Sequence, residues 1–251
     1  MAYQCSLIIN AYNQAEELRL VLDSVAGQSV SDFEVIIADD GSTDHTSEVV
    51  AKFQDEHPNI PIQHVWHEDS GFQRTVILNK AVGYSRAQYL IFIDSDLILH
   101  PRFIEGHLHC RDSYKVLSGG RGVKLNERFV ARLKEGEDKM RFGMLNLIKR
   151  RLRGDLRHCF RGSVIKNRLL RKMVIPQKGR LTGCNFSMYK PAWESVNGMD
   201  ATIREYGFED YELGCRLQRA GYMLESVCFC ANTFHMEHPK HELPFGKEIT
   251  A

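Results

Sequence analysis

The sequence predicts an α/β protein: a mostly parallel sheet flanked by helices, with a basic helical insertion in its second half. Three observations point there. In the first hundred residues, short apolar runs alternate with segments whose apolar residues recur at helical spacing, a β-α-β order that leads to parallel pairing. The run Tyr89–Asp94 is continuously apolar up to its last residue, as expected of a strand covered on both faces. Residues 128–180 hold 17 Lys/Arg against four acids, a balance of +13, so the remainder of the 251-residue chain carries −12 for a total of +1.

The elements follow in order. "CSLIINAY" (Cys5–Tyr12) reads as a strand. "AEELRLVLDSVAGQ" (Ala15–Gln28) reads as a helix with Leu18, Val21, Leu22 and Val25 on one face. "FEVIIADD" (Phe33–Asp40) is a second strand that ends in carboxylates, and a helix follows with Ser42 and Thr43 as N-cap candidates. "IQHVWH" is a short third strand, Phe72–Ala87 a third helix and Tyr89–Asp94 a fourth strand. In "MLNLIKRRLRGDLRHCFRG" and "IKNRLLRKMVI" apolar residues interleave with basic ones, which predicts two or three basic amphipathic helices. Beyond Leu181 a helix is expected near Gly207–Ala220 and a strand in "MLESVCFCA", with Cys228 and Cys230 on one strand face. One domain is expected over 1–251, with a nucleotide-binding half at 1–120, the insertion at 121–180 and a catalytic half at 181–251.

With 43% hydrophobic and 26% charged residues the composition is that of a globular protein. A net charge of +1 argues against a nucleic-acid partner. No apolar run approaches the ~20 residues needed to span a bilayer, and no basic region precedes an apolar core at the start. Neither a secretory signal nor a transmembrane helix is therefore expected. The seven scattered cysteines include no C-x-x-C and are expected to be reduced thiols, in keeping with a cytoplasmic protein.

Parallel sheets bind ligands at the carboxyl ends of their strands. The sequence delivers Asn13, then Asp39 and Asp40, then Asp94 and Asp96 to that edge. On an extended chain Asp94 and Asp96 would point the same way, roughly 7 Å apart, with a repulsion of about 2 kcal/mol at an effective dielectric near 20. A divalent cation, Mn²⁺ or Mg²⁺, would relieve it, since such ions are held by one or two carboxylates plus substrate phosphates. The other reading is a turn, with Asp94 capping and Asp96 in solvent. Asp39 and Asp40 suit either a turn or hydrogen bonds to a nucleobase and ribose. Neither glycine-rich phosphate motif is present, so a nucleotide would be held without such a cradle. Glu209 and Asp210 open a helix, where acids complement the dipole or where one serves as a general base. His235 and His238 read as a solvated pair or as metal ligands.

The order of these motifs resembles that of inverting glycosyltransferases of the GT-A fold, glycosyltransferase family 2. "SLIINAYNQAEELRLVLDSVAGQSVSDFEVIIADDGSTDHT" resembles the family's opening, "DSD" stands in the place of its D-x-D metal motif, and "HEDSGFQRTVILNKAV" resembles the segment joining the two sites. "LTGCNFSMYKPAWESVNGMDATIREYGFEDYELGCRLQRAG" resembles the C-terminal region of galactosyltransferases and chondroitin-polymerase-type enzymes. The resemblance covers 5–110 and 181–240 and leaves out the basic segment. It implies metal-dependent, inverting transfer from a nucleotide sugar, with UDP as the expected carrier. The acceptor would be a hydroxyl of a glycan or lipid-linked molecule, as in cell-surface polysaccharide or lipopolysaccharide synthesis.

By the same resemblance, Asp39 or Asp40 would contact base and ribose beside Ala11, Tyr12 and Asn13. Glu68, Asp69 and Arg74 would lie near the base or diphosphate. Asp94 and Ser95 would face the ribose or donor sugar. Asp96 would bind the metal with His235, Asp94 assisting and His238 as the alternative histidine. Asp210 would be the catalytic base, with Glu209 beside it holding the acceptor. Tyr206-Gly207-Phe208 stands where the family often has tryptophan. Two other readings are a sugar-phosphate nucleotidyltransferase, although "NAYNQAEE" after the first strand lacks glycine and basic residues, and a membrane-surface module with a decayed transferase core. The basic segment 128–180 suits either the anionic inner face of a membrane, with the protein peripheral there, or a solvated lid.

Overall fold

The computed structural model describes residues 3–120, 122–165, 167–174 and 180–237. The first half runs β1 (Cys5–Ala11), α1 (Ala15–Ala26), β2 (Phe33–Asp39), α2 (Thr46–Glu56), β3 (Ile62–Trp66), α3 (Arg74–Tyr84), β4 (Tyr89–Asp94), β5 (Leu97–Leu99), α4 (Phe103–Cys110), β6 (Lys115–Ser118) and β7 (Val123–Leu125). The basic region supplies α5 (Glu127–Lys134), α6 (Met144–Leu152), β8 (Leu156–Arg157), a 3₁₀ turn at Cys159–Gly162 and α7 (Arg168–Val174). Then come β9 (Asn185–Tyr189), α8 (Lys190–Ser195), α9 (Glu209–Arg219), β10 (Met223–Ser226) and β11 (Thr233–Met236).

The main sheet has the order β10-β6-β9-β4-β1-β2-β3. Its pairs are parallel except around β9, which runs antiparallel to both β4 and β6. β1, β2 and β4 are buried on both faces, apart from half-buried Asn10 and Asp94, so their largely apolar runs correspond to helices above and below. One layer of the core stacks Phe92 between Phe186 and Trp193, with ring centroids 4.4 and 4.9 Å away. The register pairs Ala11 with Asp39 and Asn10 with Asp94. Three strand ends, and their polar residues, therefore reach one edge together.

A second sheet, β5-β11-β7-β8, begins where the first leaves off. The chain exits β4 at Asp94, turns through Ser95 and Asp96, and enters β5, whose Leu97 pairs with His235 of antiparallel β11. The apolar run after the D-S-D motif thus changes sheets.

Some local expectations are corrected. α2 begins at Thr46, and neither Ser42 nor Thr43 caps it. Asp44 accepts the Thr46 N–H at 3.1 Å, while Ser42 Oγ accepts the N–H of Asn13 at 2.9 Å. The strand in "MLESVCFCA" stops at Ser226. Phe229 takes a left-handed φ of 61°, which an extended strand cannot accommodate, so Cys228 and Cys230 lie in a turn. All seven cysteines are free thiols. In the basic region Arg132 and Arg150 are folded inward onto Asp138 and Asp155. Among the described residues no helix is long and apolar enough to cross a membrane.

Candidate active site

At the first-half edge each carboxylate is held by a neighbour. Asp39, at the end of β2, accepts the Ser42 N–H at 2.8 Å and meets His64 Nε2 at 2.8 Å. Burial would raise its pKa, yet these hydrogen bonds hold it below the usual carboxylate value. Asp40 is similarly placed against His67 Nε2 at 2.8 Å and the Gln73 N–H at 3.0 Å. There burial prevails and its pKa is raised. Asn13 adopts a positive φ of 49°, an arrangement asparagine tolerates. Its Oδ1 accepts the N–H of Thr43 at 2.9 Å, fastening the 40–44 loop. Asp69 closes the edge by accepting the Tyr12 hydroxyl at 3.0 Å and the Gly71 N–H at 3.0 Å. Gly41, at φ +95°, lets that loop approach: a Cβ there would sit 2.6 Å from the Asp69 Cα. Glu68 is exposed and does not join this group.

Arg74, at the first turn of α3, unites the two halves of the chain. Its guanidinium donates to Asp94 at 3.1 Å, Asp210 at 2.8 Å, Glu209 at 3.4 Å and the Gly183 carbonyl at 3.0 Å. Asp210 does not cap its own helix. One oxygen takes Arg74, and the other accepts the Gly183 N–H at 2.9 Å. Glu209 instead accepts the N–H of Gly207 at 2.7 Å. The pKa of Asp94 is pushed up to about 7 by desolvation, opposed by Arg74 and reinforced by the charges of Asp96 and Asp210. Glu209 is also raised, by burial and then by Asp210.

Asp96 leaves the strand with the Ser95 turn. Ser95 Oγ donates to Gln14 at 2.7 Å. The Asp96 carbonyl accepts the Met236 N–H at 2.9 Å, and its carboxylate lies 3.0 Å from His235 Nε2. Both side chains are buried. His238 lies outside the described residues. Among the described residues no three His, Cys, Asp or Glu groups converge as a complete metal cage.

The structure thus brings together Ala11, Asn13, Asp39, Asp40, Tyr12 and Asp69 as one group, Arg74, Asp94, Glu209 and Asp210 as a second, and Asp96 with His235 as a third. Sequence reasoning missed His64, His67 and Gly183. The histidines had a signal: β3 runs parallel beside β2, with His64 opposite Ile37 and His67 just past the strand end, so their rings belong beside the same edge. Gly183 had none.

The family model "Glycosyl transferase family 2" matches residues 6–174, and "N-terminal domain of galactosyltransferase" matches residues 174–242. The chain is 23% identical to a chondroitin synthase of Escherichia coli over 98% of this chain and 37% of that protein. It spans well under two thirds of the length of the first curated relatives it matches. Its fold is shared with a mannosyltransferase from Pyrobaculum calidifontis solved with GDP-Man and Mn²⁺, at TM-score 0.64 and 16% identity over 96% of this chain and 59% of that one. It is shared too with TarS 1-349 of S. aureus in complex with UDP-GlcNAc, at TM-score 0.63 and 15% identity over 95% of this chain and 60% of that one. These neighbours are GT-A glycosyltransferases, and the mostly parallel sheet described above is theirs as well. With its first family match alone covering more than half of the sequence, the chain belongs to glycosyl transferase family 2.

Proposed function

We propose that the protein moves a sugar, with inversion, from a nucleoside-diphosphate sugar, UDP-linked by preference, to a hydroxyl of a glycan or lipid-linked acceptor. The observation that carries this reading is Asp210: half-buried, held by Arg74 and the Gly183 N–H, and gathered with Asp94 of the strand edge around one guanidinium. The nucleotide end would lie along Asp39, Asp40 and the Ala11–Asn13 loop. Asp210 takes the proton of the acceptor hydroxyl as that oxygen attacks the anomeric carbon. The bond from that carbon to the diphosphate oxygen breaks, and the nucleoside diphosphate leaves with the electron pair. Exposed Tyr206, Phe208 and Tyr211 beside the base offer apolar surface to an acceptor sugar, in place of a tryptophan.

The residues suit a divalent cation. Asp94, Glu209 and Asp210 gather around the Arg74 guanidinium and Asp96 lies against His235, so four carboxylates here meet one guanidinium and one imidazole among these contacts. Asp96 and His235, with Asp94, would hold the ion, an oxygen and imidazole set that Mn²⁺ accepts. Donor phosphate oxygens would complete it. Bound there, the ion would stabilise charge on the departing diphosphate.

The test is Asp210→Asn against the unmodified protein, with Mn²⁺ and a panel of nucleotide sugars. Transfer is expected to fall by about 10²–10⁴, while the donor-dependent rise in melting temperature persists. Turnover near the unmodified rate would remove Asp210 as the base. A chain whose melting temperature no nucleotide sugar raises would remove the donor class, and pyrophosphate release from a nucleoside triphosphate would favour nucleotidyl transfer.

A further inference from the structure

The basic region presents its apolar residues the wrong way round for water. In α6, Leu147 packs inward, while Leu145 and Leu152, seven residues apart on one stripe, face solvent, Leu152 being 83% exposed. Phe160, in the turn that packs against α6, is exposed too. Among its described side chains α7 is inverted more completely: Leu169, Leu170, Met173 and Val174 lie outside, Met173 at 82% exposure, whereas Arg171 is 3% exposed. A solvated lid would place these residues the other way. Around the apolar side chains stand exposed Lys149, Arg151, Arg153, Arg157 and Arg161. Scattered exposed leucines are ordinary, but a cluster of large apolar side chains bordered by cations marks an interaction surface.

We propose that α6, the Cys159–Gly162 turn and α7 form a docking face for an anionic phospholipid surface, with the leucines, Phe160 and Met173 entering the headgroup boundary and the cations meeting lipid phosphates. The pattern is that of interfacial helices, apolar on one side and rich in Lys/Arg beside it. Charge complementarity selects the occupant: a second copy of this chain would bring like charge against like. The face is also tied to the site. Ile165 N–H bonds the Phe229 carbonyl at 2.7 Å, and Asn232 Nδ2 bonds the Ser163 carbonyl at 2.7 Å, so the docking segment is fastened to the turn that leads into β11 and His235. The proposal rests on the transferase reading only in its purpose, which is to bring the site to a lipid-linked acceptor.

The test is co-sedimentation of the full chain with phosphatidylcholine vesicles, with and without phosphatidylglycerol. Binding is expected only to the anionic vesicles, with release on raising salt from ~0.1 to ~0.5 M. Leu152→Asp with Met173→Asp should lower the bound fraction about tenfold, and Arg151→Glu with Arg153→Glu should do likewise. All these positions are exposed, so an unchanged melting curve checks the fold. No binding to anionic vesicles, or equal binding to neutral ones, overturns the proposal. So does a dimer that the aspartate pair dissolves in the absence of vesicle binding. A nucleotide-sugar melting shift read on the same samples separates the two readings: a shift without vesicle binding removes the docking face alone, and vesicle binding without a shift removes the transferase reading alone.

Discussion

Asp210 owes its position to a missing atom. A Cβ built on Gly183 would lie 2.0 Å from both of its carboxylate oxygens, closer than any side chain tolerates. Gly183→Ala therefore forces the carboxylate away from Arg74 and the backbone N–H that hold it. If Asp210 is the base as proposed, transfer is expected to fall at least about 10²-fold, with the donor-dependent melting shift retained; normal turnover in this variant would count against that proposal. At this scale the sequence is legible where chemistry and position coincide. Asp39, Asp94 and Asp210 can be read because carboxylates at the ends of apolar strands or at a helix start need a reason. Gly183 cannot, because a glycine in "LTGCN" looks like any loop residue until the side chain folded against it is known. Arg74 is intermediate: an arginine opening a helix is visible, but two of its three acidic partners, Glu209 and Asp210, lie more than a hundred positions further along the chain.

Among the elements, α4 and β9 are joined by a buried titratable group. The His107 ring sits between Ser187 Oγ at 2.8 Å and Asn185 Oδ1 at 3.0 Å, and burial pushes its pKa down from 6.5 to about 4. The unfolded chain therefore binds this proton first. The contribution of neutral His107 is fully present above about pH 6.5 and is lost as pH falls toward 4, on the order of 3 kcal/mol in all. Urea melts at pH 7 and pH 5 should show this loss, and His107→Gln should flatten the dependence; an identical slope in the variant would place the titration elsewhere. The long elements were readable from pattern, since β1 and β2 are mostly apolar, β4 is apolar up to Asp94, and α1 is periodic. The second sheet was not. Strands of two to four residues such as β5, β7 and β8 carry too little pattern to be seen before their partners are known. The start of α2 was misjudged for a related reason: Ser42, a good cap by type, is bonded to Asn13, a residue from another loop.

In the molecule as a whole, the order of motifs was the most legible feature and the handling of the basic region the least. Its charge was plain, but the inward turn of Arg132 and Arg150 onto Asp138 and Asp155, and the outward turn of Leu145, Leu152, Leu169 and Leu170, depend on packing. The antiparallel strand β9 adds a dimension that neither sequence order nor site geometry expresses, which is time. β4 ends at Asp94, and the strand that pairs with its open edge begins only at Asn185. While the chain is being made, that edge waits for about 90 residues, roughly 5–20 s at ribosomal speed. During that interval a strand apolar up to Asp94 displays unpaired backbone groups, the feature that recruits neighbouring chains. A chain halted at residue 180 is expected to pellet where the full chain stays in solution, and a soluble monomer of that length would show that something else covers β4. The strand that pairs with the open edge of β4 is thus also the one whose arrival ends the nascent protein's exposure to its neighbours on the polysome.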